Sequence, residues 1–443
     1  MDVIGLVRTA GVVGAGGAGF PTHVKLNAKA EYVIANGAEC EPLLRVDRIL
    51  MANNAERIVR GMEAAMSAVG ADKGVVATKE HYHAAVKALE GALKDHPKIR
   101  LHVMKNTYPL GDEKALIHEI TGRVVAADEL PKDSLCVVCN VTTLVNIAGA
   151  LEGIPVTRKY VTIGGEVERP VTVSVPVGTP FRELARYGGI KGGEKDHALI
   201  RGGPCMGTLE EDWDAVVTKT TGGLLFFKWD HPLIVRRKIP IGRQLKLAQA
   251  VCCQCSQCTQ LCPRHTLGLG VEPHKAMRAA AGGDAKLLGN INGILSCCNC
   301  GLCTHYACPM GLTPSVIMNI FREGLLKQGV RPSKSPGPVK AEPDFALKRI
   351  PVSRLIARMA LGSFDVDAPL DEKPFMPKKV RIPLRMHTGA PSVPVVSVGA
   401  EVNEGRKIAV IPENALGAEI HASIDGKVTG VNSNYIEITG REA

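Results

Sequence analysis

The 443-residue chain has room for about three domains, and 45% of it is hydrophobic, an ordinary share for a protein that buries real cores. Its 54 Lys and Arg against 44 Asp and Glu give a formal charge of +10, spread along the chain, while aromatics make up only 4%; a nucleic-acid surface, with clustered cations interleaved with aromatics, is excluded. No run approaches the roughly 18 apolar residues of a membrane span and the N-terminus carries no secretory signal, so a cytoplasmic protein with no membrane span is expected.

Gly14 to His23 reads GAGGAGFPTH, and its first six residues fit the G-x-G-x-x-G pattern of dinucleotide-binding loops. A Rossmann unit needs a helix of about a dozen residues after the third glycine, then a strand ending in an acid. Here Pro21 closely follows Gly19, and only FPTHVKLNAKAE separates that glycine from the strand-like run YVIAN. The Rossmann reading is rejected. What remains is a loop whose glycines let backbone N–H groups approach a phosphate, with Lys25 to neutralise it, or else a tight turn with no ligand.

The runs YVIAN, GVVAT, IRLHVMK and SLCVVCN alternate with amphipathic stretches at 47–69, 81–94 and 113–121. This predicts an α/β domain with a mainly parallel sheet over residues 1–150. Ligands bind such sheets at the carboxyl ends of the strands, where NGAECEP (36–42), YPLGDE (108–113) and CNVTTL (139–144) fall. Residues 151–240 continue with strand, tight turn, strand and a short helix, followed by ALIRGGPCMGTL.

Ten of the 14 cysteines lie between Cys252 and Cys308. In a chain without a secretory signal, that density points to metal or redox chemistry before structural disulfides. Cys252, Cys255, Cys258 and Cys262 follow the C-x2-C-x2-C-x3-C run of bacterial ferredoxins, with Pro263 next. Cys297, Cys300, Cys303 and Cys308 repeat it with the last gap one residue longer, before Pro309. Three such thiolates wrap one cubane and the fourth points to the other cluster. Cys252, Cys255 and Cys258 would therefore share a [4Fe–4S] cluster with Cys308, and Cys297, Cys300 and Cys303 would take Cys262. Zinc, the competing metal, has no need of the third evenly spaced cysteine or of the trailing Cys-Pro. Cys253 and Cys298 fall outside the pattern, and Cys40, Cys136, Cys139 and Cys205 read as small buried thiols. These features place a helical two-cluster unit at 241–330.

Residues 331–380 open with the proline-rich RPSKSPGPVKAEP, expected to be an extended linker. ALKRIPVSRLIARMAL (346–361) follows as a basic amphipathic helix, limited by Pro351 and better docked on the protein's own body than on a membrane. Residues 381–443 read as short strands with glycine turns.

GAGGAGFPTHVK, NGAECEP, GDEKALIHEITGR and NVTTL, in this order and spacing, resemble the FMN-binding domain of one family. It is shared by the NADH-oxidising subunit of respiratory complex I, the C subunit of the Rnf complex and the cobalamin reductase of propanediol-utilisation microcompartments. The resemblance implies that Gly14, Gly16, Gly17 and Lys25 hold the FMN phosphate and ribityl chain. It further implies that Asn36, Glu39 and Glu41 line the flavin, that Gly111, Asp112 and Glu113 lie at the flavin and nicotinamide face, and that Asn140 and Thr143 complete the phosphate end. Glu39, Asp112 and Glu113 are the catalytic candidates. Ala15, Ala38 and Leu26 depart from the complex I pattern, Leu26 where an aromatic that helps stack the nicotinamide is expected. Residues 151–240 resemble the soluble-ligand-binding (SLBB) β-grasp domain of these families, read as a packing module. The last segment resembles a biotinyl/lipoyl barrel-sandwich hybrid, but between Lys407 and Lys427 it lacks the lysine of a carrier domain.

The expected architecture is thus multidomain, α/β and α+β. The expected function is electron transfer from NADH through FMN and two [4Fe–4S] clusters. The preferred acceptor is a corrinoid or a corrinoid-dependent enzyme within a bacterial microcompartment, where an adenosyltransferase or shell proteins could be partners and the chain could be an oligomer. The alternatives are an Rnf-type component working between NADH and ferredoxin, or a microcompartment electron-transfer protein with another acceptor. A flavin is required in each, because a hydride donor gives two electrons and a cluster takes one.

Overall fold

The computed structural model describes residues 1–335 and 337–441, so Pro336 of the expected linker and the last two residues of the 381–443 segment lie outside the described residues. The first unit is built on four parallel strands in the order Ile99–Met104, Lys73–Lys79, Tyr32–Asn36 and Cys136–Asn140. Their apolar runs are covered on both faces by helices, as a parallel sheet requires: Val33, Ile34, Val76 and Val137 are buried. The expected helix over 47–69 is two helices, Val46–Asn53 and Ala55–Val69, because Asn54 (φ −132°, ψ 30°) leaves helical space between them. Val3–Thr9, His83–Ala92, Glu113–Thr121 and Val141–Leu151 are further helices of the unit. The glycine-rich stretch is a tight hairpin: Val13 bridges Pro21, and the Gly14 N–H donates to the Phe20 carbonyl at 2.9 Å. Only the five-residue helix Thr22–Leu26 follows it.

The second unit is a mixed sheet. Arg158–Gly165 pairs antiparallel with Val171–Pro176 and parallel with Gly223–Lys228, which continues antiparallel to His197–Arg201 and then Thr208–Glu210. Helix Phe181–Tyr187 contributes Phe181 and Leu184 to its core. The cysteine-bearing unit is helical, with Ile241–Val251, Pro273–Gly282 and Pro314–Lys327 around Leu267, Val271, Met277 and Met318. Ala115 of the first unit lies in the same core, which holds the two units together.

Residues 331–380 are not a free linker. Val339 and Ala341 pack on the helical core and the Glu342 N–H donates to the Thr266 carbonyl at 2.7 Å. Ile350–Pro351 pairs with Thr107–Tyr108 of the first unit, and Leu370–Asp371 adds a strand parallel to Val171–Pro176 of the second. The segment is a strap whose apolar residues are worth more buried than hydrated. Pro351 caps the helix inside it, which shrinks from the expected 346–361 to Val352–Arg358, with Leu355 and Ile356 buried against the body.

The first strand of the C-terminal unit is Lys379–Pro383. Its four-stranded sheet orders Lys379–Pro383, Tyr435–Gly440, Gly426–Val431 and Glu401–Val402. A three-stranded sheet of Val393–Pro394, Lys407–Val410 and Ile420–His421 lies beside it, and Ile382, Ile408, Val428 and Ile438 fill the core. Val177 of the second unit joins that core. Among the described residues no helix is long and apolar enough to cross a membrane.

Candidate functional site

A cavity of about 490 Å³ lies at the carboxyl ends of the parallel strands and is closed from the other side by the second sheet. That volume suits a small cofactor. Of the residues singled out from the sequence, Gly16, Gly17, Asn36, Glu39, Glu41, Gly111, Asp112, Glu113 and Asn140 line it. Gly14, Lys25 and Thr143 do not. They build the hairpin and its surroundings: the Thr143 hydroxyl accepts the Ala15 N–H at 3.0 Å, and Lys25 donates to the Val138 carbonyl at 2.9 Å while facing Glu113 at 3.9 Å. Ala15 lines the cavity. Ala38 and Leu26, two of the three departures, are fully buried in cores and do not. Leu26 therefore does not occupy a stacking position.

Two carboxylates are held by backbone amides. Glu39 (φ 35°) turns back to accept the N–H groups of Asp47, at 2.8 Å, and Arg48, at 3.3 Å, at the start of helix Val46–Asn53. Burial pushes its carboxyl up to about 7, and the charge of Asp47 adds to the push, against the two amides. Glu41 accepts from the amides of Cys205 and Met206 at 2.8 and 3.0 Å, and burial raises it to about 7 as well. The backbone comes that close because position 203 is glycine: a Cβ there would stand 2.1 Å from Glu41 Oε2. Asn36 Nδ2 donates to the Gly111 carbonyl at 3.0 Å, and Asn140 Nδ2 donates to Asp47 of helix Val46–Asn53 at 2.7 Å and to the Asn36 carbonyl at 3.4 Å, the last bond tying the two adjacent strand ends together. Asp112 lines the cavity but is engaged by Arg264 of the cysteine-bearing unit. Glu113 is the more exposed carboxylate there.

The second sheet completes the wall with Lys159, Arg201, Gly202, Gly203 and Thr220–Gly222, which the sequence reading did not place here. The paired glycines of RGGP and TTGG were a usable signal, being a second set of positions where backbone can approach a ligand. Lys159 had none.

The eight patterned cysteines surround two further cavities. Cys252, Cys255, Cys258 and Cys308 line one; Cys262, Cys297, Cys300 and Cys303 line the other. Gln254, Ser256 and Asn299 adopt left-handed backbone (φ 55°, 58° and 53°), curling each cysteine loop so that its thiols face inward. Cys300 and the unpatterned Cys298 also line the large cavity, so the second thiol set borders it directly. Cys253 and Cys255, in the first set's loop, are exposed.

Comparison with known proteins matches residues 7–149 to the Nuo51 FMN-binding domain, 251–313 to a 4Fe-4S dicluster domain, and 367–441 to the RnfC barrel sandwich hybrid domain. The cobalamin reductase PduS of Salmonella typhimurium is 46% identical over 98% of this chain and 95% of its own length. That of Citrobacter freundii is 44% identical over the same shares. A component of the Na(+)-translocating ferredoxin:NAD(+) oxidoreductase complex of Acetobacterium woodii is 35% identical over 60% of this chain and 58% of its own. With near-complete coverage at this identity, the chain belongs to the PduS cobalamin reductase family.

Proposed function

We propose that this protein is an NADH-dependent cobalamin reductase, passing electrons from NADH by way of FMN and two [4Fe–4S] clusters to a corrinoid. The observation that carries the reading is the shared wall: Cys298 and Cys300 border both the large cavity and the second thiol set. The residues present fit the groups. Gly17 would direct a Cβ into open space, Gly16 would set one 3.0 Å from Asn140, and the rim therefore presents bare backbone to a nucleotide. Each thiol set would supply the four sulfur ligands of a cubane.

FMN supplies a two-electron acceptor that releases electrons singly. The chain's residues do the rest. Glu39 and Glu41, held by amides with carboxyls near pH 7, exchange protons at working pH while staying fixed in place. The thiol order gives a direction: from the cavity to Cys262, Cys297, Cys300 and Cys303, then to Cys252, Cys255, Cys258 and Cys308, beside the exposed Cys253 and Cys255 where an acceptor can approach. Glu113, the accessible carboxylate, serves the nicotinamide side.

Residues 1–150, 151–240, 241–330 and 381–443 act as flavin, SLBB β-grasp, cluster and barrel-sandwich units, the β-grasp closing the flavin cavity rather than taking a soluble ligand. Placement in a microcompartment, with adenosyltransferase or shell partners, belongs to the same proposal. The Rnf-type alternative is disfavoured because that relative covers 60% of the chain where PduS covers 98%.

An anaerobic NADH titration of the reconstituted protein, alone and with excess aquacobalamin, tests this. Bleaching of flavin and cluster absorbance together with catalytic corrinoid reduction is expected. Reduction by NADH with an untouched corrinoid would assign a protein acceptor, and no reduction by NADH would sink the donor.

A further inference from the structure

Lys159 stands out among the buried charges. It projects from strand Arg158–Gly165 of the second unit and is only 4% exposed, yet it lines the large cavity of the first. Its Nζ donates to the Ala15 carbonyl in the glycine-rich hairpin at 3.1 Å. An ammonium carries three N–H donors, so one carbonyl leaves it under-satisfied, and among the described residues no carboxylate lies within ion-pair distance of it. Burying a cation so poorly paired is expensive unless a ligand completes it. Burial lowers its pKa to about 8, with Asp47 opposing from beyond contact distance, so the amine remains largely charged near neutrality.

Glu39, Glu41, Asp47, Asp112 and Glu113 line the same cavity, against the cations Lys159 and Arg201, and of these two Lys159 is the one bonded to the glycine hairpin. Gly16 and Gly17 offer backbone and Thr220 a hydroxyl in the same cavity, while the Asn140 amide is committed to Asp47, the Asn36 carbonyl and the Thr142 N–H. Lys25, the cation that the loop motif nominates, is spent on the Val138 carbonyl and on Glu113, outside the cavity lining.

Resting on the flavin reading above, we propose that Lys159 is the cation of a phosphate subsite formed between the two units, binding the phosphomonoester of FMN and making the site select FMN over riboflavin. The second unit thereby contributes directly to cofactor binding. Lys159 is a binding residue and takes no part in electron transfer.

The test uses full-length, cluster-reconstituted protein from which flavin has been removed, with FMN and riboflavin affinities measured separately for the parent, Lys159→Met and Lys159→Arg. The two ligands share the isoalloxazine and ribityl parts, so riboflavin binding reports whether the cavity is intact. The expected result is that Lys159→Met lowers the FMN-over-riboflavin preference by about ten- to a hundredfold, the range of a charge-assisted hydrogen bond. Lys159→Arg should keep most of that preference. An unchanged preference in Lys159→Met overturns the assignment, and does so even more clearly if NADH binding weakens instead, since the lysine would then serve a dinucleotide phosphate. Should Lys159→Met fail to fold, amine acylation mapped on the parent decides: FMN should protect Lys159 where riboflavin does not, and equal labelling overturns the proposal. A parent that binds neither flavin overturns the flavin reading itself.

Discussion

Arg264 holds Asp112 through two parallel bonds, Nε to Oδ2 at 2.9 Å and Nη2 to Oδ1 at 2.6 Å. The guanidinium follows directly on Cys262-Pro263 and the carboxylate on Gly111, so the pair spans from a cluster cysteine to the flavin cavity. Burial is the largest single influence on Arg264 and works against its charge, but the charge and hydrogen bond of Asp112, together with the neighbouring Cys298 and Cys297, carry the arginine's pKa above its ordinary value. The Arg264 Nη1 also donates to the Ser296 carbonyl at 2.7 Å, just before Cys297.

Removing the arginine strands the acid. Side chains 15% and 6% exposed leave little water to replace the partner, so Arg264→Gln should cost about 3–5 kcal/mol in denaturant unfolding. Pairing it with Asp112→Asn should recover part of that loss. A double variant no more stable than the additive expectation would show that the two groups do not act as a unit.

Stability should depend on pH through the amide-held carboxyls. The Glu41 carboxyl moves from its ordinary value of 4.5 to about 7 on folding, so between those values the folded chain keeps a proton that the unfolded chain has released. Its contribution is fully present below about pH 4.5 and is lost as pH rises to about 7, on the order of 3 kcal/mol. Glu39 acts in the same direction. Unfolding midpoints at several pH values across this window should fall in the parent and fall less steeply in Glu41→Gln; parallel slopes would dismiss the idea.

The two fourth cysteines should have opposite consequences. Cys308→Ser removes a ligand from the outer thiol set, so NADH should still reduce the flavin and the inner cluster while corrinoid reduction stops. Cys262→Ser damages the set that borders the cavity, so reduction should halt at the flavin. Each variant should lose about half of its iron. Electron paramagnetic resonance of the NADH-reduced proteins separates the cases, and the two outcomes exchanged between the variants would refute the crossed grouping.

Much of the site was legible because its signals are local. Thiols separated by two residues on a curled loop must face one point, and the four apolar runs between amphipathic helices left little choice but a parallel sheet. Asn36, Glu39, Gly111 and Asn140 were identifiable because they follow strand ends, where such sheets bind ligands. Lys25 and Thr143 sit behind the cavity lining, since sequence proximity to the glycine loop does not tell which way a side chain points.

The strand and helix pattern, the cysteine spacing and the glycine hairpin were written in the chain itself, since each depends on residues a few positions apart. Folding alone settled that Lys159 closes the flavin cavity, that Arg264 occupies Asp112, and that residues 331–380 strap three units together. These contacts join residues separated by scores of positions, with no periodicity to announce them. What selects them is the burial of charge and apolar surface in the folded chain, which exists only once the units have packed.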